Sequence, residues 1–173
     1  MGRSALIREV SGAAEVGVFR DLVLEYAAHL ASHPAGPEHF CLAGFDEELA
    51  GLTEMYRAPG CMLLTTVDGE PAGCVALREM AEPKGLELKR LWVRPEFRGL
   101  GLGRRLMEAA IAHAMVADAE AIYLDTVPAA MPEAVRLYAE LGFEPVESYS
   151  AKRMPGIGFF RLPLRDEVRS QST

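Results

Sequence analysis

Cysteine is scarce in this 173-residue chain: Cys41, Cys61 and Cys74 are all it has, an odd number with no CxxC spacing. A disulfide-stapled scaffold is excluded on that count, and a reducing cytoplasm is the expected setting. Long apolar runs are lacking as well. None approaches the ~18 residues of a membrane-crossing helix, and the nearest, Ala109–Leu124, contains His113, Asp118 and Glu120. The N-terminus has no apolar leader, and Leu6 stands where myristoylation wants Ser or Thr, so neither signal segment nor membrane association is expected. Positive charge is in deficit: 18 Lys and Arg face 25 Asp and Glu, for a net charge of −7 that disfavours nucleic acid as a partner. What is abundant is apolar residues, at 50%. A chain this long can bury roughly 70% of its extended surface. One domain over residues 1–173 is expected, with a core over 61–164 and a frayed polar tail over 165–173.

Leu6–Val10 reads as a strand and Ala13–Ala31 as a helix, stopped by the proline- and glycine-rich segment from Ser32 to Pro37. Asp46–Tyr56 reads as a second helix, capped by Asp46 and acidic in its first turn. Cys61–Val67 and Gly73–Glu79 are strands hinged at Asp68-Gly69. Leu86–Val93 is a central strand, and a glycine-rich loop leads from it into a helix over Leu102–Val116. That helix carries Leu106, Ala109, Ala110 and His113 on its inner stripe. A strand at Ala121–Thr126, a helix at Pro132–Leu141 ended by Gly142, and strands at Phe143–Ser148 and Ile157–Leu164 complete the chain. Antiparallel strands followed by a βαβα unit indicate a mixed α+β sheet.

The chemistry concentrates at Arg98-Gly99-Leu100-Gly101-Leu102-Gly103, between strand and helix. Glycines let the backbone present successive N–H groups at a helix start, where the dipole favours a phosphate. The string is neither a Walker loop nor a GxGxxG dinucleotide fingerprint, which would need glycine at Arg104. Packing alone is the plain alternative. From Lys84 to Arg105 the segment carries a net +5, leaving −12 for the rest of the chain, so the acidic average hides a cationic stretch beside the loop.

The loop matches the Q/R-x-x-G-x-G/A motif of the GNAT acyltransferases at Arg98, Gly101 and Gly103. Upstream, Glu87 to Phe97 resembles that family's fourth strand and its exit. Downstream, Ala134-Val135-Arg136-Leu137-Tyr138 followed by Leu141-Gly142-Phe143 resembles its A-hydrophobic-x-L-Y-x-x-x-G-F element. The resemblance implies a GNAT-like acyl-CoA N-acyltransferase fold: a mixed, mostly antiparallel sheet of about seven strands, flanked by helices and splayed between strands 4 and 5. It implies acetyl-CoA as co-substrate; no metal is expected. The pyrophosphate would rest on the backbone of Arg98, Gly99, Leu100, Gly101, Leu102, Gly103 and Arg104, and the pantetheine on that of Leu91, Trp92 and Val93. Glu87 takes the position of a general-base glutamate, against the alternative of an ion-pair partner for Lys89 or Lys84. Tyr138 takes that of the thiolate-facing tyrosine, against the alternative of a core tyrosine. Met131 departs from the family, which often has Asn there to bind cofactor.

The acceptor implied is a primary amine, on a small molecule or a peptide, acetylated directly in a ternary complex. Asp46, Glu47, Glu48 and Glu54 could form an acidic rim attracting it, with Asp125 and Thr126 lining the cleft. Homodimers are frequent in the family. A non-catalytic acyl-CoA sensor and a nucleotide-binding regulatory domain are the rival readings. The group His29, His33, His39 and Cys41 could suggest zinc, but Pro34 and Pro37 interrupt it and no HExxH glutamate exists.

Overall fold

Asp68 and Gly69 both adopt positive φ, 51° and 87°, the backbone a two-residue hairpin needs. In this computed structural model, which describes residues 3–34, 44–150 and 155–165, that turn joins β2 (Cys61–Val67) to β3 (Glu70–Met80). β1 (Ala5–Glu9) pairs with β2, and β4 (Gly85–Val93) with β3, all antiparallel. β5 (Ala121–Thr126), β6 (Glu144–Val146) and β7 (Gly158–Pro163) complete a seven-stranded sheet of order β1-β2-β3-β4-β5-β7-β6.

The one parallel neighbour pair, β4 with β5, is in register only at Leu86–Ile122 and Glu87–Tyr123. Beyond Glu87 the two strands part, as the expected splay requires. A parallel pair needs a crossover, supplied here by α4 (Leu102–Val116). That helix and α5 (Pro132–Glu140) cover one face of the sheet, over Leu63, Leu77, Leu88 and Ile122. α1 (Gly12–Ser32), α2 (Phe45–Ala50) and α3 (Leu52–Met55) cover the other, over Leu64, Cys74, Ala76 and Trp92.

Several expectations change. The helix expected over Asp46–Tyr56 is two short helices divided at Gly51, and its start is set by Gly44 at φ 85° rather than by an Asp46 cap. On α4 the buried stripe is Leu102, Leu106, Met107, Ala110 and Ala114. His113 sits at its edge, with Nε2 3.0 Å from the Pro59 carbonyl oxygen. β6 is shorter than Phe143–Ser148, because only Glu144 to Val146 find partners on β7. The 165–173 tail expectation, His39 and Cys41 fall almost wholly or wholly outside the described residues.

β4 carries a bulge. Its register against β3 slips between Cys74 and Ala76, and Arg90 takes φ 62°. The extra residue reverses the inside–outside alternation. Leu86 and Leu88 face α4, and so do Leu91 and Val93, three residues further on, while Arg90 turns to α1 and α2.

Thr65 on β2 is fully buried, and its Oγ1 has no hydrogen-bond partner among the described residues. An unpaired buried hydroxyl is destabilising. Thr65→Val is therefore expected to stabilise the protein by about 1 kcal/mol. A thermal melt reads this as a Tm raised by roughly 2–4 °C.

Candidate active site

Where β4 and β5 diverge, a cavity of about 370 Å³ opens. Leu88 to Leu91 form one wall and Leu124 to Val127 the other, with Tyr138 of α5 and Tyr26 of α1 above and below the sheet. The β5-facing edge of β4 past Glu87 has no strand partner among the described residues. Arg94 donates its N–H to Ala72 O at 2.9 Å. Given the Gly73–Val93 register, antiparallel alternation directs the Val93 N–H into the gap and the Trp92 N–H toward β3.

Gly99 and Gly101 adopt φ of 80° and 70°, and a Cβ at either would meet nothing within 4 Å. Glycine is needed there for conformation, not for room. Gly101 is the N-cap of α4, whose first turn holds no acidic residue. The start of a fifteen-residue helix therefore presents unpaired N–H groups beside the splay.

The cationic stretch is largely neutralised by acids from the rest of the chain. Lys84 pairs with Glu120, Lys89 with Glu87 and Asp125, Arg90 with Glu48, Arg94 with Glu25 and Arg104 with Glu140. Among the described residues, Arg98 and Arg105 have no acidic partner. The Arg98 guanidinium lies 5.1 Å from the Trp92 ring centroid, beside the loop.

Glu87, only 4% exposed, faces the cavity. Its cross-strand neighbour Arg78 holds Oε2 through Nε at 2.6 Å and Nη2 at 2.5 Å. The Tyr149 hydroxyl donates to Oε1 at 3.3 Å, and Lys89 Nζ lies 3.6 Å from that oxygen. Lys84, one of the partners the sequence offered for Glu87, pairs with Glu120 instead. Neither Arg78 nor Tyr149 was legible as a partner, since both need the β3–β4 register and the chain after β6.

Tyr138 lies on the buried stripe of α5 against Phe143 and Phe160, and it also lines the cavity. Its hydroxyl has no hydrogen-bond partner among the described residues. Burial, with Tyr26 and Asp125 adding to it, pushes the phenol above its ordinary value of 10.0. It therefore holds its proton at neutral pH and can give it to a developing anion. Met131, at the departure from the family motif, also lines the cavity.

Glu48 does not belong to an acidic rim. It is buried, and Arg90 donates to Oε1 at 2.8 Å and to Oε2 at 2.5 Å while the Tyr56 hydroxyl donates to Oε1 at 2.6 Å. Glu54 pairs with Arg57, whereas Asp46 and Glu47 remain exposed. Neither of the two described thiols lines the cavity. Burial pushes Cys61 up to about 12 and raises Cys74 further, so neither ionises near neutrality. His29 packs its ring 5.0 Å from that of Trp92.

A sheet pried open between parallel strands, next to a helix start lined with glycine, defines an acyl-CoA-dependent acyltransferase. The free β4 edge suits an extended arm with two amides, and the helix start suits a pyrophosphate. The chain belongs to the acetyltransferase (GNAT) family, whose profile matches residues 16–143. It is 37% identical over 121 residues to an uncharacterized N-acetyltransferase of Schizosaccharomyces pombe, covering 69% of this chain and 74% of that one. It is 30% identical over 140 residues to the N-acetylaspartate synthetase of Homo sapiens, covering 69% of this chain but 45% of the synthetase. A GNAT-family acetyltransferase structure from Staphylococcus aureus superposes with a TM-score of 0.74 at 16% identity, over 94% of this chain and 100% of the other. A Salmonella typhimurium structure solved with its cofactor acetyl-CoA superposes with a TM-score of 0.70 at 18% identity, over 98% and 99%. At these identities the superpositions speak to the fold. The protein is thus an acetyl-CoA-dependent acyltransferase, and among its described residues no helix is long and apolar enough to cross a membrane.

Proposed function

We propose that this protein, acting as one domain in a reducing cytoplasm, moves acetyl from acetyl-CoA directly to a primary amine within a ternary complex. The observation that carries the reading is the cavity at the β4–β5 splay, which has Glu87 on one wall and the Tyr138 phenol on another. Direct transfer is supported by the cysteines: neither described thiol lines that cavity, and both are held protonated by burial. When bound, acetyl-CoA supplies an acetyl group already activated as a thioester.

The backbone of Arg98 through Arg104 would hold its pyrophosphate, and the edge of Leu91, Trp92 and Val93 its pantetheine. Glu87 takes one proton from the acceptor ammonium and leaves a nucleophilic amine. The Val93 N–H stabilises the carbonyl oxygen as it gains charge. As the C–N bond forms and the C–S bond breaks, Tyr138 gives its proton to sulfur and regains one from the acylated nitrogen. The products are the N-acetyl amine, the CoA thiol and one proton. A relative that makes N-acetylaspartate supports a small-molecule acceptor.

Thiol release and N-acetyl product, measured with acetyl-CoA across a panel of amines and amino acids, test this. Stoichiometric formation of both is the expected result. Tight CoA binding without turnover on any acceptor, with Tyr138→Phe having no effect, would instead identify an acyl-CoA sensor.

The pyrophosphate reading makes a separate prediction. At φ 70°, alanine in place of Gly101 carries a backbone cost of about 1–2 kcal/mol. Gly101→Ala is expected to raise KM for acetyl-CoA about tenfold while changing kcat less, in steady-state kinetics.

A further inference from the structure

The geometry points to a zwitterionic α-amino acid as the acceptor, with Lys89 binding its carboxylate and Asp125 its ammonium; this rests on the acetyltransfer reading above. Among the described residues, six charged side chains line the cavity: Glu48, Glu87 and Asp125 against Arg78, Lys89 and Arg90. Two cations are committed. Arg90 is bound to Glu48 at 2.5–2.8 Å and Arg78 to Glu87 at 2.5–2.6 Å. Lys89 is different. Its side chain is only 18% exposed, yet its nearest anionic oxygens are Glu87 Oε1 at 3.6 Å and Asp125 Oδ1 at 3.8 Å. Both distances are within ion-pair range and beyond hydrogen-bond length. The ammonium thus makes no hydrogen bond among the described residues, although it carries three donors.

Such a group in a half-closed cavity favours a ligand that brings an acceptor atom to it. A carboxylate gives the strongest such bond. Asp125 Oδ1 lies beside Lys89 and belongs to a side chain only 35% exposed. It is the acid of the three without a short ion pair, and it stands ready for a cation. An α-amino acid has its ammonium nitrogen about 3 Å from its carboxylate oxygens, by ordinary covalent geometry. Set against the Lys89–Asp125 pair, it closes a ring of four alternating charges in which every ion gains a partner. A plain amine can satisfy Asp125 but leaves Lys89 as it was. A dication would meet Lys89 and the committed arginines as like charges. The charge count among the described residues agrees, three acids against three cations, because a zwitterion leaves that balance unchanged.

The test compares acetylation of α-amino acids with that of the matched amines lacking the carboxylate, in wild type, Lys89→Met and Lys89→Arg. Wild type should favour the amino acid by at least about 50-fold in kcat/KM, as one desolvated charged hydrogen bond supports. In Lys89→Met that ratio should fall below about fivefold, while Lys89→Arg should retain a clear preference. The KM for acetyl-CoA, which this lysine does not serve, reports that each variant is folded. A wild-type enzyme that acetylates plain amines as well as amino acids overturns the acceptor assignment and leaves the acetyltransfer reading standing. A preference that survives in Lys89→Met overturns the role of Lys89. An enzyme that acetylates neither class overturns both readings together.

Discussion

Replacing Tyr138 with phenylalanine should lower kcat by about 10²-fold, the scale of a lost general acid, and leave KM for acetyl-CoA within about twofold. The thermal midpoint should hold. The phenyl ring keeps its packing against Phe143 and Phe160, and the deleted hydroxyl has no hydrogen-bond partner to lose among the described residues. This split between turnover and stability separates the two roles the position could have. A tyrosine present only to fill the core would leave kcat unchanged in the variant. The raised phenol adds a pH signature: wild type should show no alkaline loss of activity attributable to Tyr138 around its ordinary value of 10.0. Steady-state kinetics with acetyl-CoA varied at saturating acceptor and repeated across pH, alongside a thermal melt, measure all of this.

The second large effect is on stability. Glu48→Ala should cost about 3–5 kcal/mol in urea unfolding, the usual penalty for stranding one member of a buried ion pair. Arg90 is left facing the Tyr26 and Phe45 rings without its counter-ion, and the Tyr56 hydroxyl loses its acceptor. Glu48→Gln keeps an acceptor oxygen for both and should cost less. The difference depends on pH in a definite direction. Burial pushes the Glu48 carboxyl up, but the hydrogen bonds and charge of Arg90 outweigh it and hold the group below its ordinary value of 4.5. A carboxylate depressed in the folded state adds stability above its unfolded value and loses it as pH falls through the folded one. The advantage of wild type over Glu48→Gln should therefore be full at neutrality and shrink progressively below pH 4.5. An advantage that is constant from neutrality down through acid would show that the pair contributes no charge-dependent stability.

The parts of the fold legible in advance are those whose signals are local. Asp68-Gly69 marks its hairpin, Gly142 at φ 93° ends its helix, and β2, α4 and β5 begin and end where their apolar patterns do. The proposed donor side of the site was legible for the same reason, since its glycines stand together at a helix start within six residues. The acceptor side was not. The pairing of Arg78 with Glu87 depends on strand register, that of Arg90 with Glu48 on how two short helices fold over the sheet, and the Lys89–Asp125 pair on two strands joined by a long crossover. The break at Gly51 divides what looked like one helix, and Glu48 lies buried in line with Phe45 and Leu52, a place for an acid only because Arg90 meets it there. The bulge, by contrast, has a local signal. Leucines at 86 and 88 followed by apolar residues at 91 and 93 break strict alternation by one step, as a bulge does.

That extra residue in β4 makes the strand modular. Before it, Glu87 and Lys89 line the cavity proposed for the acceptor; after it come Val93 and the chain into the glycine loop, proposed to serve the donor. Because the bulge absorbs the change of phase, side chains ahead of it can be exchanged without re-registering the half behind it. Acceptor preference can then drift, in nature or in the laboratory, while the donor machinery stays fixed. Deleting Arg90 would fuse the two halves into one alternating strand, and any change of substrate would then be tied to the thioester end.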